Sequence, residues 1–130
     1  MKLKSYKILA PEKDFLAIPD HYVNITAKIA YANLTGLKVA MTDVYGNTNV
    51  IPRGTLVNVD GDGVVNKPTA SLLPNAVIFD TINIDDYDST DTYVNATVLV
   101  HGFVRADRLK ELTSGDTAKL DNKQIYVFNK

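Results

Sequence analysis

From Tyr93 to Val104 the chain reads YVNATVLVHGFV, with Val94, Ala96, Val98 and Val100 at every second position. Side chains of an extended strand alternate between two faces, so this spacing puts all four on one side of a sheet. A strand of this kind is stable only against other strands, and the rest of the chain offers them. Val23, Ile25, Ala27, Ile29 and Tyr31 alternate with Asn24, Thr26, Lys28 and Ala30. AVIFDTINI (76–84) is apolar and β-branched, TLVNVDGDGVV (55–65) holds two short apolar runs around Gly and Asp, and IYVF (125–128) makes a last strand. LKVAM after Gly36 reads as one more short run, and VYGNTNVIPRG as a loop rich in Gly, Asn and Pro. ADRLKEL, Ala106 to Leu112, reads as the one short helix. Asp107 suits the exposed amides of a helix start, Leu109 and Leu112 share a face, and Gly115 lies just past the end. Short strands divided by turn signals predict a mainly β fold, a small barrel or sandwich.

Residues 1–20 read as an extended N-terminal arm ahead of a β-rich domain over 21–130. Lys2, Lys4 and Lys7 are interleaved with Leu3, Tyr6 and Ile8, then Pro11 and Pro19 remove amide donors and hold their predecessors extended. The start has the positive flank of a secretory signal, but its apolar part is only ILA before Pro11 and Glu12, too short for that role. The sequons at Asn24, Asn33 and Asn95 would matter only in a secreted eukaryotic chain. No apolar run reaches the ~20 residues a spanning helix needs. At 130 residues the chain is long enough to bury a core in one domain, and with no cysteine it must do so without disulfides. A net charge of −1 offers no basic face for nucleic acid.

Candidate chemistry is thin. Asn58, Asp60, Asp62 and Gly63 begin like an EF-hand loop, but the twelfth position, where a bidentate Glu is needed, is Thr69, and the flanks are strand-like. A hairpin whose Asp-Gly pairs supply positive φ is the better reading. Asp85, Asp86, Asp88 and Asp91 form a second acidic stretch, read as a solvated loop ahead of a cation site. His21 and His101 show no metal-type spacing, and His101 beside Gly102 reads as a bulge or bend at a strand end. There is no G-x-S-x-G turn and no phosphate-binding glycine motif. Arg105 and Arg108 flank Asp107 and suit pairing with neighbouring acids or a subunit contact.

Three blocks in order, PRGTLVNVDGDGVV (52–65), NAVIFDTINID (75–85) and NATVLVHGFVRADRL (95–109), resemble the head decoration, or capsid-stabilising, proteins of tailed bacteriophages, the family of the phage lambda decoration protein. The chain departs from that pattern at Ala76, where members often carry glycine, and at Phe103, where they often carry a polar residue. The resemblance implies a small β fold of the β-tulip type with little helix. It implies homotrimers on the outer surface of the capsid, partnered by the major capsid protein and made in the host's cytoplasm. It implies no enzyme, no cofactor and no contact with nucleic acid or membrane. On this reading Tyr6, Ile8, Phe15 and Ile18 of the arm are the residues expected to dock on the capsid. Two other classes stay open: a carbohydrate- or peptide-binding β module, for which the tyrosines offer stacking faces, and a hydrolase using Asp85, Asp86 and Asp88 to hold a divalent ion.

Overall fold

The computed structural model describes residues 15–128; Tyr6 and Ile8 lie outside them. The protein is mainly β, and its strands are β1 (Tyr22–Ala30), β2 (Val50–Ile51), β3 (Leu56–Val59), β4 (Val65–Asn66), β5 (Ala76–Ile78), β6 (Ile82–Asn83), β7 (Tyr93–Arg105) and β8 (Ile125–Phe128). One four-residue α-helix, α1 (Leu34–Leu37), follows β1. The main sheet runs β1-β7-β5-β3-β4, with β8 also on β7, while β2 and β6 form a separate ribbon. All ladders are antiparallel except β7–β8. The sheet is not a barrel closed by ladders. Its two ends meet at one isolated bridge, Lys28 to Val64, where the Lys28 N–H donates to the Gly63 carbonyl (2.9 Å).

β7 organises the fold because its two faces serve two cores. Val94, Ala96 and Val98 join Ala27, Ile29, Val57, Val65, Ala76 and Ile78 on one side, under α1 and the β2–β6 ribbon. Leu99 and Val104 pack on the other side with Phe15, Leu16, Leu56, Val77 and Ile125. Each fully buried Val, Leu or Ile contributes about 1.5–3 kcal/mol by leaving water. Val94, Ala96 and Val98 thus share one buried face, as the spacing predicts, while the second buried face is set by what packs on it.

The Asp60 loop is a hairpin. Asn58 pairs with Asn66 and Val59 with Val65, and the Asp60 carboxylate accepts the N–H groups of Asp62 (2.9 Å) and Val64 (3.1 Å). The Val64 N–H is the largest influence holding the Asp60 carboxyl below its ordinary value. Asn75 then substitutes for a missing strand. Its side chain accepts the Val59 N–H (2.8 Å) and donates to the Val59 carbonyl (3.0 Å), the two bonds a neighbouring backbone would make.

Three expectations need correction. LKVAM is not a strand: Leu34 and Leu37, three apart, are buried by the single turn α1, and the chain beyond is irregular. VYGNTNVIPRG is not all loop, because Val50–Ile51 pairs with Ile82–Asn83. The helix expected over Ala106–Leu112 stops as a 3-10 turn at Arg108. Lys110 is drawn into strand-like pairing, donating its N–H to the Gly54 carbonyl (2.8 Å) and accepting from the Leu56 N–H (3.0 Å). Leu109 and Leu112 consequently pack against different cores instead of sharing a helix face.

Candidate docking surface

Residues 15–17 lie along the end of β7. Ala17 N–H donates to the Phe103 carbonyl, Arg105 N–H donates to the Phe15 carbonyl (both 2.8 Å), and Leu16 bridges Val104. The chain then turns out through Ile18, Pro19 and Asp20, and returns at His21 to begin β1 on the same edge of β7. Phe15 is therefore no surface anchor. It is fully buried, edge-on to Phe79 (5.9 Å), with the Arg53 guanidinium 5.3 Å from its ring centre. Ile18, by contrast, is 41% exposed. Of the four residues expected to dock, these two are described, and only Ile18 presents itself to a partner.

A bulge re-aims β7 at this point. Val23 faces His101 but Asn24 faces Leu99, so Val100 is the extra residue. After it the faces exchange, which is why Leu99 and Val104, an odd number of positions apart, share one core cluster. Asn122 holds the bulge. Its amide donates to the Val100 carbonyl (3.0 Å) and the Asn75 carbonyl (2.8 Å), and its oxygen accepts the Gln124 N–H (2.8 Å). Gly102 permits the close approach of β1, since a Cβ there would lie 3.3 Å from both the Leu99 Cδ1 and the Tyr22 Cβ. The expected bend at His101 is thus present, although the strand runs on to Arg105 and does not end there.

The exchange of faces turns Phe103 outward. In the parallel β7–β8 ladder Phe103 pairs with Tyr126 and Arg105 with Phe128. Phe103 stacks on Tyr126 (centroids 5.0 Å, planes 18° apart) and on Phe128 (5.9 Å, 24°). His21 leans on the same ring at 5.4 Å. Tyr126 is 51% and Phe128 45% exposed, so the rings form an aromatic ledge open to solvent. Beside it lies an open groove of about 500 Å³ lined by Ala17, Ile18, Arg105 and Phe128. Arg105 and Arg108 both reach the Asp107 carboxylate, at 3.1 and 3.6 Å, so the expected local pairing is present at the groove's edge.

The acidic stretch does different work. Asp88 accepts the Thr90 N–H (3.0 Å), Asp91 the Asp88 N–H (3.1 Å) and Asp85 the Asn49 amide (3.0 Å). The first two are turn-forming bonds, and the third ties the stretch to the loop before β2. Burial, then the charges of Asp86 and Asp91, push the Tyr87 phenol up from its ordinary value. Among the described residues no three His, Asp or Glu side chains are placed to share a metal ion.

The ledge escaped sequence reasoning because His21, Phe103, Tyr126 and Phe128 are far apart in the chain and strict alternation would turn Phe103 the other way. The signal was Gly102 beside His101, which marks the bulge without saying which ring it exposes. No protein-family model, curated protein or solved structure matches the chain.

Proposed function

We propose that this protein is a capsid decoration protein of a tailed bacteriophage, binding as a homotrimer to major capsid subunits on the outside of the head and bracing them against internal DNA pressure. The observation that carries the reading is where the three resembling blocks lie. They cover β3 and the turn after it, β5 with β6, and most of β7, and β3, β5 and β7 neighbour one another in the sheet, although the segments 66–74 and 86–94 that connect them lie outside the blocks. The likeness thus belongs to one contiguous piece of structure. On this reading the fine fold is of the β-tulip type, and the sheet ends that meet at Lys28 and Val64 suit a nearly closed form.

A decoration protein works through surfaces. The aromatic ledge and the groove beside Ile18 provide one of the kind found at interface centres, where aromatic residues and Arg are enriched. Cyclic trimers need closing, heterologous contacts, and repetition over a shell lets modest contacts hold. Tyr6 and Ile8, outside the described residues, would dock on the capsid on this reading.

The test uses expanded, undecorated shells of a tailed phage, heated with and without the protein. Saturable binding and a raised rupture temperature are expected. Shells that neither bind nor gain heat resistance, across the phages whose capsid genes adjoin this one, would overturn the reading. A carbohydrate- or peptide-binding surface module is the second reading, favoured by the stacked, exposed rings of Phe103, Tyr126 and Phe128. Specific retention on a glycan or peptide array would support it over the first.

A further inference from the structure

The two histidines, eighty residues apart in the chain, meet at the rim of the ledge. His21 Nε2 lies 3.1 Å from His101 Nε2, with ring centroids 5.1 Å apart. One nitrogen must donate and the other accept, so the contact holds a single shared proton. His101 Nδ1 is buried and has no hydrogen-bond partner among the described residues. A buried N–H without an acceptor costs more than an unused lone pair, so His101 carries its proton on Nε2 and donates. His21, which is exposed, accepts on Nε2 and carries its own proton on Nδ1.

Consider one added proton. Three protons then occupy four ring nitrogens. If one of them still bridges the Nε2 atoms, the other two sit on the two Nδ1 atoms, and His101 Nδ1 is buried without an acceptor. If His101 Nδ1 stays bare, both Nε2 atoms carry hydrogen and face each other 3.1 Å apart. Neither form keeps a satisfied contact, so the charged pair separates and the exposed ring, His21, leaves.

We infer that the His21–His101 pair is a proton-operated latch, closed when neutral, which on protonation releases the 17–21 turn from β7 and uncovers the Phe103 face of the ledge. Histidine is the side chain type whose ordinary charge change falls between pH 8 and pH 5, so that is the interval over which the latch is tested. The elements packed round the pair carry few other charges. Asp20 on the turn and Lys123 before β8 are exposed, Tyr22 lies on β1 and Tyr126 on β8, and Arg105 on β7 is paired with Asp107. Among the described residues no carboxylate pairs with either ring to stabilise an imidazolium. The inference stands on the histidine geometry and not on the decoration reading.

The test is side-chain and amide NMR of the full chain from pH 8 to pH 5. At pH 8, His101 should show the Nε2–H tautomer and His21 the Nδ1–H tautomer. On acidification the amides of Ala17 and His21 should exchange roughly 10-fold faster, after correction for intrinsic pH effects, as their bonds to Phe103 and Ile18 are released. The Gly102 amide, held by the Gln124 carbonyl, should not change. In His21→Phe, which keeps a ring against Phe103 but cannot titrate, the Ala17 amide should be equally protected at both pH values. An Nδ1–H tautomer at His101, an Ala17 amide indifferent to pH in the wild type, or an unchanged pH response in H21F would each overturn the inference.

Discussion

Replacing Phe15 by alanine separates an arm from a core element. Phe15 is fully buried against Leu16, Leu56, Val77, Leu99, Val104 and Ile125, so the substitution leaves a ring-sized cavity between sheet and N-terminal segment. Phe→Ala in such a site costs about 3–5 kcal/mol. The Arg53 guanidinium, 5.3 Å from the Phe15 centroid and 5.4 Å from that of Phe79, loses one of its two aromatic faces, a further ~0.5–1 kcal/mol. For a domain of this size that is a fall of roughly 13–22 °C in Tm. Ile18→Ala, three residues on and 41% exposed, should cost about 0.5 kcal/mol or less. Urea unfolding followed by circular dichroism reads both. Equal, small costs for the two would refute the placement of Phe15 in the core. The same geometry sets where the arm can be cut: removing 1–14 leaves the core contacts of Phe15 and Leu16, whereas removing 1–20 deletes them.

Other substitutions probe separate parts of the account. Asn122→Ala strips the Val100 and Asn75 carbonyls of their donor and should cost about 1–3 kcal/mol by the same urea assay. The Asp60 carboxyl is held below its ordinary value of 3.8 and that of Glu111 below 4.5, chiefly by the N–H groups of Val64 and Thr117. Such groups contribute stability above the unfolded value that is lost as pH falls through the lower folded value. Wild type should therefore lose Tm below pH 4 more steeply than Asp60→Asn, and parallel curves would contradict the assignment. Tyr126→Ser should cost about 0.5–1.5 kcal/mol, the loss of its stacking on Phe103, while weakening shell binding at least several-fold.

Residue spacing made the long strands legible. β1, β7 and β8 carry period-two alternation or an isolated apolar run, but in β1 only Ala27 and Ile29 of the alternating set are buried, and Val23 and Ile25 stand exposed. What stayed hidden was set by tertiary partners. Val50–Ile51 is a strand only because Ile82–Asn83 lies beside it. Leu109 and Lys110 leave their helical pattern because the Gly54 carbonyl and the Leu56 N–H offer backbone bonds. Phe15 reads as an arm residue between two prolines, and nothing local says that Arg53 and Phe79 close over it. The ledge was hidden for the same reason, since one extra residue at Val100 decides which way Phe103 points.

The central claim, that this β-sheet brick acts through the surfaces it offers to other subunits, is tested most directly by counting copies bound per expanded shell at saturation. The account predicts three copies at each local threefold position, fewer when Tyr126 is replaced. Shells of the cognate phage that stay bare in excess protein would contradict it.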